Sequence, residues 1–255
     1  MYLFENMSIE RHPYPHGFSL NALPDDEYHA LYDSRPDWRV IAGSRAGEDN
    51  VRIDWGALEC LASDQISDVW KEFITRHVSP KCWLAFVKKW GDTIRLAYPW
   101  LESYHGKRLE DFDVLPRGIN DWADIYLDCQ IGINTPTSGN KSVIGAHLDN
   151  PTELYGSLLY MRDPEDVASA GDFWIGRLPP IIKVNGKRLV DYGCVPHRTV
   201  AYQANTYAGF INTAHSIHGV TTRHASDKPR LLVNFSVEFD KNKLKLFDPE
   251  LYRGD

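Results

Sequence analysis

The clearest pattern lies in the middle of the chain. Ile125, Leu127, Cys129, Ile131 and Ile133 alternate with Tyr126, Asp128, Gln130, Gly132 and Asn134. A period of two predicts a β-strand with one apolar face and one polar face. Tyr126, Gln130 and Asn134 share the polar side, which suits an interior lined with hydrogen-bonding groups. Upstream the period changes. Ile66, Val69, Trp70, Phe73, Ile74 and Val78 make one helical stripe, within a stretch, 63–98, that reads as helical throughout. Ser63 or Asp64 stands where a cap is needed, and Pro80 ends the first helix and opens a second carrying Trp83, Leu84, Val87 and Trp90.

Beyond residue 122 the chain turns to short strands. Candidates are 142–149, 154–161, 172–177, 181–184, 197–202, 207–212, 216–220 and 230–239, with turn residues between them. Short strands without intervening helices predict a barrel or jelly roll rather than βαβ units. Residues 1–60 are rich in Pro, Asp and Arg and read as loops with one or two strands. No linker is visible. The expectation is a single domain over 1–255, mainly β with N-terminal helices. Residues 1–120 form a loop and helical layer, 121–240 the β core and 241–255 a tail. Tyr14, Phe18, Tyr28, Tyr32 and Trp38 are candidates for a substrate lid.

Composition narrows the function. With 8 Trp, 13 Tyr and 10 Phe in 255 residues, the chain can bury a substantial core, which excludes disorder for most of it. A net charge of −7 gives no electrostatic reason to seek nucleic acid or an anionic membrane. Apolar runs such as 83–87 are far too short to span a bilayer. Cys60, Cys82, Cys129 and Cys194 form no C-x-x-C pair and are too sparse for a disulfide scaffold. With an opening, MYLFENMSIERHPYP, that does not read as a secretory signal, the expected setting is the cytoplasm.

Nucleotide-binding glycine loops, the G-x-S-x-G elbow and H-E-x-x-H are all absent. What stands out is His147-Leu148-Asp149 at the end of a candidate strand, where alternate residues project to one side. Downstream comes His215-Ser216-Ile217-His218-Gly219-Val220. Two His and one Asp on one face of a metal leave the opposite face open to ligands. His215 competes with His218, but three residues along a strand point to opposite sides; His197 and His224 read as structural or surface residues. Arg230 then opens an alternating run to Phe239, on a mixed face with Leu232, Asn234, Ser236 and Glu238. A guanidinium there suits bidentate binding of a carboxylate, and Arg223 is the alternative.

Together, His147-x-Asp149, His218-Gly219-Val220 and Arg230 resemble the 2-oxoglutarate and Fe(II)-dependent oxygenases. Leu158-Leu159-Tyr160-Met161-Arg162, Ala170-Gly171-Asp172-Phe173 and the stretch from Asn205-Thr206 to Phe210 are similar to the prolyl-hydroxylase-like branch. The resemblance covers roughly 120–240. It implies a double-stranded β-helix (a cupin-like jelly roll), with iron held by His147, Asp149 and His218. It also implies that Arg230 binds the distal carboxylate of 2-oxoglutarate, the co-substrate consumed with O2 to give succinate and carbon dioxide. Tyr160 resembles a barrel tyrosine near that co-substrate, and Tyr126 and Gln130 are further candidate contacts. The pattern departs from the family at Leu232, where many members carry Ser or Thr, and at Ala170-Gly171 in place of two glycines. Because Asp149 is present, hydroxylation, desaturation or ring closure is implied rather than halogenation. The expected substrate is a small polar metabolite, saccharide or natural-product intermediate. Three alternatives stay open: a peptide or prolyl hydroxylase, a non-oxidative metal-dependent isomerase, lyase or hydrolase on a cupin-like barrel, and a non-catalytic ligand-binding sandwich.

Overall fold

The computed structural model describes residues 1–141, 144–177, 194–240 and 244–248, and the backbone of 184–185 and 188–189. In chain order the elements are β1 (Ser8–Glu10), β2 (His16–Leu20), α1 (Asp25–Asp33), α2 (Trp38–Ala42), β3 (Arg52–Trp55), α3 (Ala57–Ala62), α4 (Asp68–His77), α5 (Pro80–Ala97) and α6 (Leu101–His105). There follow β4 (Val114–Pro116), β5 (Ile125–Asn134), β6 (Glu153–Tyr160), β7 (Phe173–Arg177), β8 (Val184–Asn185), β9 (Arg188–Leu189), β10 (Val195–Val200), β11 (Thr206–Ile211), β12 (His218–Val220) and β13 (Arg230–Glu238).

A large sheet runs in the order β1-β2-β11-β6-β13-β5-β3, with β4 pairing parallel to β5, and a smaller sheet runs β10-β7-β12. From β5 on, the chain passes back and forth between them: β6 lies in the large sheet, β7 and β10 in the small, β11 in the large, β12 in the small and β13 in the large. Apart from the parallel edge strand β4, the two sheets are antiparallel and wound alternately by one chain, which makes a double-stranded β-helix, as expected.

The alternation in β5 becomes a division of labour. Ile125, Leu127, Cys129, Ile131 and Ile133 are fully buried against the helices, beside Val233, Phe235 and Val237 of β13. Trp70, Phe73 and Ile74 of α4 and Trp83, Phe86 and Trp90 of α5 supply the other half of this core. Ser67, rather than Ser63 or Asp64, caps α4 by accepting from Trp70 N, because the helix starts only after Ile66. Ser79 caps α5, with Pro80 at the first turn, where its missing N–H costs nothing. Val69 and Leu84 fall off the buried stripe, at 41% and 49% exposed.

Other differences from expectation follow from pairing. Residues 1–60 contribute three strands and three helices, not loops with one or two strands. Tyr28 is buried in the main core and Tyr32 and Trp38 pack against it, while Tyr14 and Phe18 belong to the apolar cluster between the sheets. β3 is short because only four residues find partners on the edge of β5. Within 142–149, residues 144–149 form no strand and make only the bridge His147↔His218; Ser142 and Val143 lie outside the described residues. The expected strand 181–184 also falls outside them, apart from Val184 in β8. No described helix is long and apolar enough to cross a membrane.

Candidate metal and anion site

The inward face of β5, β13, β6, β11 and β3 encloses, with β7 and β12, a cavity of about 400 Å³. Its lining includes His147, Asp149, His218 and Arg230. The segment before β6 is tied to β12 by His147 N donating to His218 O (2.9 Å) and His218 N to His147 O (3.1 Å). That ladder rung sets the two imidazoles side by side, ring centroids 4.1 Å apart. His147 Nε2 lies 3.4 Å from Asp149 Oδ1 and His218 Nε2 3.5 Å from Asp149 Oδ2.

Both imidazoles are oriented from behind. His147 Nδ1 is 2.8 Å from Gly145 O, and His218 Nδ1 is 2.9 Å from Ser216 O. A carbonyl accepts only, so each Nδ1 carries a proton and donates it away from Asp149, leaving each Nε2 as the nitrogen that faces the carboxylate. Backbone carbonyls on the remote nitrogens are the usual support for metal-ligating histidines. Burial alone pushes the Asp149 carboxyl up, but His218 and His147 more than offset it and hold Asp149 well below the usual carboxylate range. The three donor atoms lie within 4.8 Å of one another, close enough for one metal ion. Gly156 makes the room: a Cβ there would sit 3.1 Å from Asp149 Oδ2 and 3.4 Å from Phe210 Cζ.

His215 is exposed, as are His197 and His224, so His218 is the histidine brought to Asp149. Its segment is braced by Tyr14, which the sequence offered only as a candidate for a substrate lid. The Tyr14 hydroxyl donates to Ile217 O at 2.8 Å, and no spacing in the chain signals a contact across so many residues.

Arg230 opens β13 beside Asn134 of β5 and is 3% exposed. No carboxylate pairs with it among the described residues, and its Nε is buried without a hydrogen-bond partner. Its guanidinium carbon lies 5.2 Å from the Tyr160 ring centroid and 4.2 Å from that of Tyr202. The hydroxyls of Tyr160 and Tyr202 are likewise buried and unpaired. Burial pushes the Tyr202 hydroxyl up to about 12 against the pull of Arg230, so it stays a protonated donor. One buried cation and two buried hydroxyls without partners could hold an oxyanion, since each costs free energy unless a partner satisfies it. Arg223, by contrast, donates to Thr135 O and lies 3.9 Å from Asp166, a structural role. Gly171, at φ +78, lets the chain pass where a Cβ would lie 3.0 Å from Arg230 Nη1; Ala170 before it is also left-handed, at φ +65.

The remaining candidates separate. Tyr160 stands beside Arg230. Gln130 stands one step behind the cavity: it accepts from Asn234 Nδ2 and donates to Asp128. Tyr126 is a correction. Its hydroxyl donates to Asp121 O, and it lines a separate hollow with Arg117, Trp122 and Glu238. Sharing a face with Asn134 is not sharing a depth, because eight residues of strand span roughly 26 Å. Leu232, the departure from the family pattern, packs in the apolar cluster with Tyr160 and Tyr202. Tyr202, from the loop after β10, and Arg52 and Asp54, placed by the register of β3 on β5, were not anticipated.

No family model matches the chain, and no curated protein does. Among solved structures the chain is similar to a prolyl-4-hydroxylase from Pseudomonas putida, at 13% identity and a TM-score of 0.47, covering 88% of this chain and 92% of that one. A prolyl 4-hydroxylase from Phytophthora capsici has 13% identity and a TM-score of 0.49, covering 92% and 64%. A dioxygenase for auxin oxidation in rice has 13% identity and a TM-score of 0.47, covering 93% and 80%.

Proposed function

We propose that the protein is a 2-oxoglutarate- and Fe(II)-dependent dioxygenase that oxidises a C–H bond of a small polar molecule. The observation that carries this reading is the unpaired buried Arg230 in the same cavity as His147, Asp149 and His218. A metal-dependent isomerase, lyase or hydrolase would use the three ligands but has no use for a second, cationic subsite. A passive binding sandwich explains neither.

The residues fit the groups this reading requires. His147, Asp149 and His218 form an N,N,O donor set suited to Fe(II), with the face toward the cavity open. Arg230, with Tyr160 and Tyr202, would hold the distal carboxylate of 2-oxoglutarate. When bound, iron and 2-oxoglutarate supply the oxidising chemistry, which side chains alone lack. The chain's own contribution is placement. The Gly145 and Ser216 carbonyls fix the imidazole tautomers, Gly156 keeps Asp149 in place, and Phe173, Phe210 and Leu158 keep one wall apolar.

Purified protein given Fe(II), 2-oxoglutarate and air is expected to form succinate in step with O2 consumed, and His147→Ala to abolish both. Turnover of a substrate that proceeds unchanged without O2 would overturn the reading in favour of the non-oxidative class.

A further inference from the structure

The oxygenase reading leaves one wall of the cavity unused. Arg52 and Asp54 on β3 point inward over β5, paired in register with Asn134 and Gly132. They bind each other: Arg52 Nη2 lies 2.6 Å from Asp54 Oδ1, and Nε donates to both carboxylate oxygens. Gly132 is the cradle for this pair, for a Cβ there would lie 2.3 Å from Asp54 Oδ1 and 2.8 Å from Arg52 Nη2. An ordinary edge-strand ion pair would face solvent. This one faces the cavity, yet both side chains stay about a quarter exposed, at 25% and 28%, so a ligand can reach them.

Directly across the pairing from Arg52 stands Asn134, 2% exposed, with its Nδ2 buried and unpartnered. Arg52 has spent Nε and Nη2 on Asp54; its Nη1 makes no hydrogen bond among the described residues. Two donors on adjacent strands therefore await an acceptor. Asp54 lies beside them, and Glu153 lines the same cavity from β6. A plain anion drawn to Arg52 and Asn134 would meet these carboxylates, and a plain cation would meet Arg52. A neutral sugar would gain little from an ion pair already satisfied. A molecule carrying a carboxylate and an ammonium on one carbon satisfies both signs at once. At about 400 Å³ the cavity is at the small end of ligand pockets, and it must also hold 2-oxoglutarate.

We infer that Arg52, Asp54 and Asn134 bind the zwitterionic head of a free α-amino acid, which is the substrate class of this enzyme. Arg52 Nη1 and Asn134 Nδ2 take the carboxylate, and Asp54 the ammonium. The apolar wall of Leu158, Phe173 and Phe210 then faces the side chain to be oxidised. The inference rests on the oxygenase reading.

The test uses the whole protein loaded anaerobically with Fe(II) and 2-oxoglutarate, whose visible charge-transfer band responds to a molecule entering beside the metal. The standard free L-amino acids are compared with their N-acetyl and amide derivatives, the corresponding α-hydroxy acids, and neutral monosaccharides. At least one free amino acid should perturb the band and, in air, raise succinate release at least tenfold, while blocking either end removes the effect. Arg52→Gln should raise the half-saturating concentration of that amino acid roughly 10- to 100-fold without altering the 2-oxoglutarate titration. Arg52→Lys should recover part of the loss, and Asp54→Asn should act selectively against the ammonium, narrowing the gap between amino acid and hydroxy acid. A band that no free amino acid perturbs, an equal response to blocked derivatives or sugars, or an Arg52→Gln variant with unchanged half-saturation would each overturn this inference alone. Absence of any band in the wild-type protein overturns the oxygenase reading, and this inference with it.

Discussion

Arg230 and Tyr160 meet inside the barrel with the guanidinium carbon 5.2 Å from the ring centroid, and the Arg230 Nε and the Tyr160 hydroxyl are both buried and unpaired. Neither atom finds a hydrogen-bond partner among the described residues, and with Tyr202 they could hold a carboxylate of 2-oxoglutarate under the proposed function. Arg230→Gln should therefore weaken 2-oxoglutarate by about 10- to 100-fold, the worth of a charge-assisted pair of hydrogen bonds. Tyr160→Phe, which removes one neutral donor, should cost about fivefold. Iron affinity should be unchanged in both, as read by metal titration beside 2-oxoglutarate titration.

The second expectation concerns Gly156, whose missing side chain leaves room for Asp149. Gly156→Ala places a Cβ 3.1 Å from Asp149 Oδ2 and from Glu153 Oε1, both tighter than ordinary contact. The strand should still form, but the displaced ligand should lower metal affinity by roughly tenfold. Metal content after dialysis against a graded chelator measures this directly.

Gly171 combines two constraints that a side chain violates. Its φ of +78 disfavours an L side chain, and a Cβ would lie 3.0 Å from Arg230 Nη1. Gly171→Ala should destabilise the fold by about 1–2 kcal/mol and also raise the half-saturating 2-oxoglutarate concentration. Urea denaturation and the co-substrate titration separate the two effects.

His77 predicts an acid-sensitive core. It is fully buried, its Nδ1 donates to Phe73 O and its Nε2 accepts from Leu3 N, which fixes the neutral form. Burial lowers its pKa to about 3, so the folded protein resists a proton that the unfolded chain binds readily. The unfolded state then holds more protons below its ordinary pKa of about 6.5. The stability from neutral His77 is complete above that value and is lost progressively as pH falls toward 3, by up to about 1.4 kcal/mol per pH unit. Urea midpoints between pH 7 and pH 4 should show this slope, and His77→Gln should reduce it.

Much of this architecture was legible because local periodicity reports which face a residue occupies. The alternation of β5 and the stripe of α4 and α5 gave the two halves of the core directly. The cluster of His147, Asp149 and His218 was legible because His147 and Asp149 are local to each other and a short motif marks His218. What periodicity does not encode is depth and partnership. Tyr126, Gln130 and Asn134 share a face, yet only Asn134 lines the cavity. Arg52 and Asp54 sit in a four-residue edge strand with no alternation long enough to read, and only its register against Asn134 and Gly132 turns them inward. Tyr14 and Tyr202 reach the site from loops, where no repeat exists to count. The bridge His147↔His218 replaces the strand expected over 142–149, so the ligand pair was recognised while the backbone holding it was not.

If one cavity binds both Fe(II) and 2-oxoglutarate, an anaerobic titration reveals it. The purified protein is given Fe(II) and then 2-oxoglutarate while the visible spectrum is followed. A charge-transfer band from chelation of iron by the keto acid is expected, absent in His218→Ala and shifted to higher 2-oxoglutarate concentration in Arg230→Gln. Iron that binds without any such band, or a band indifferent to both substitutions, would contradict binding of both in that cavity.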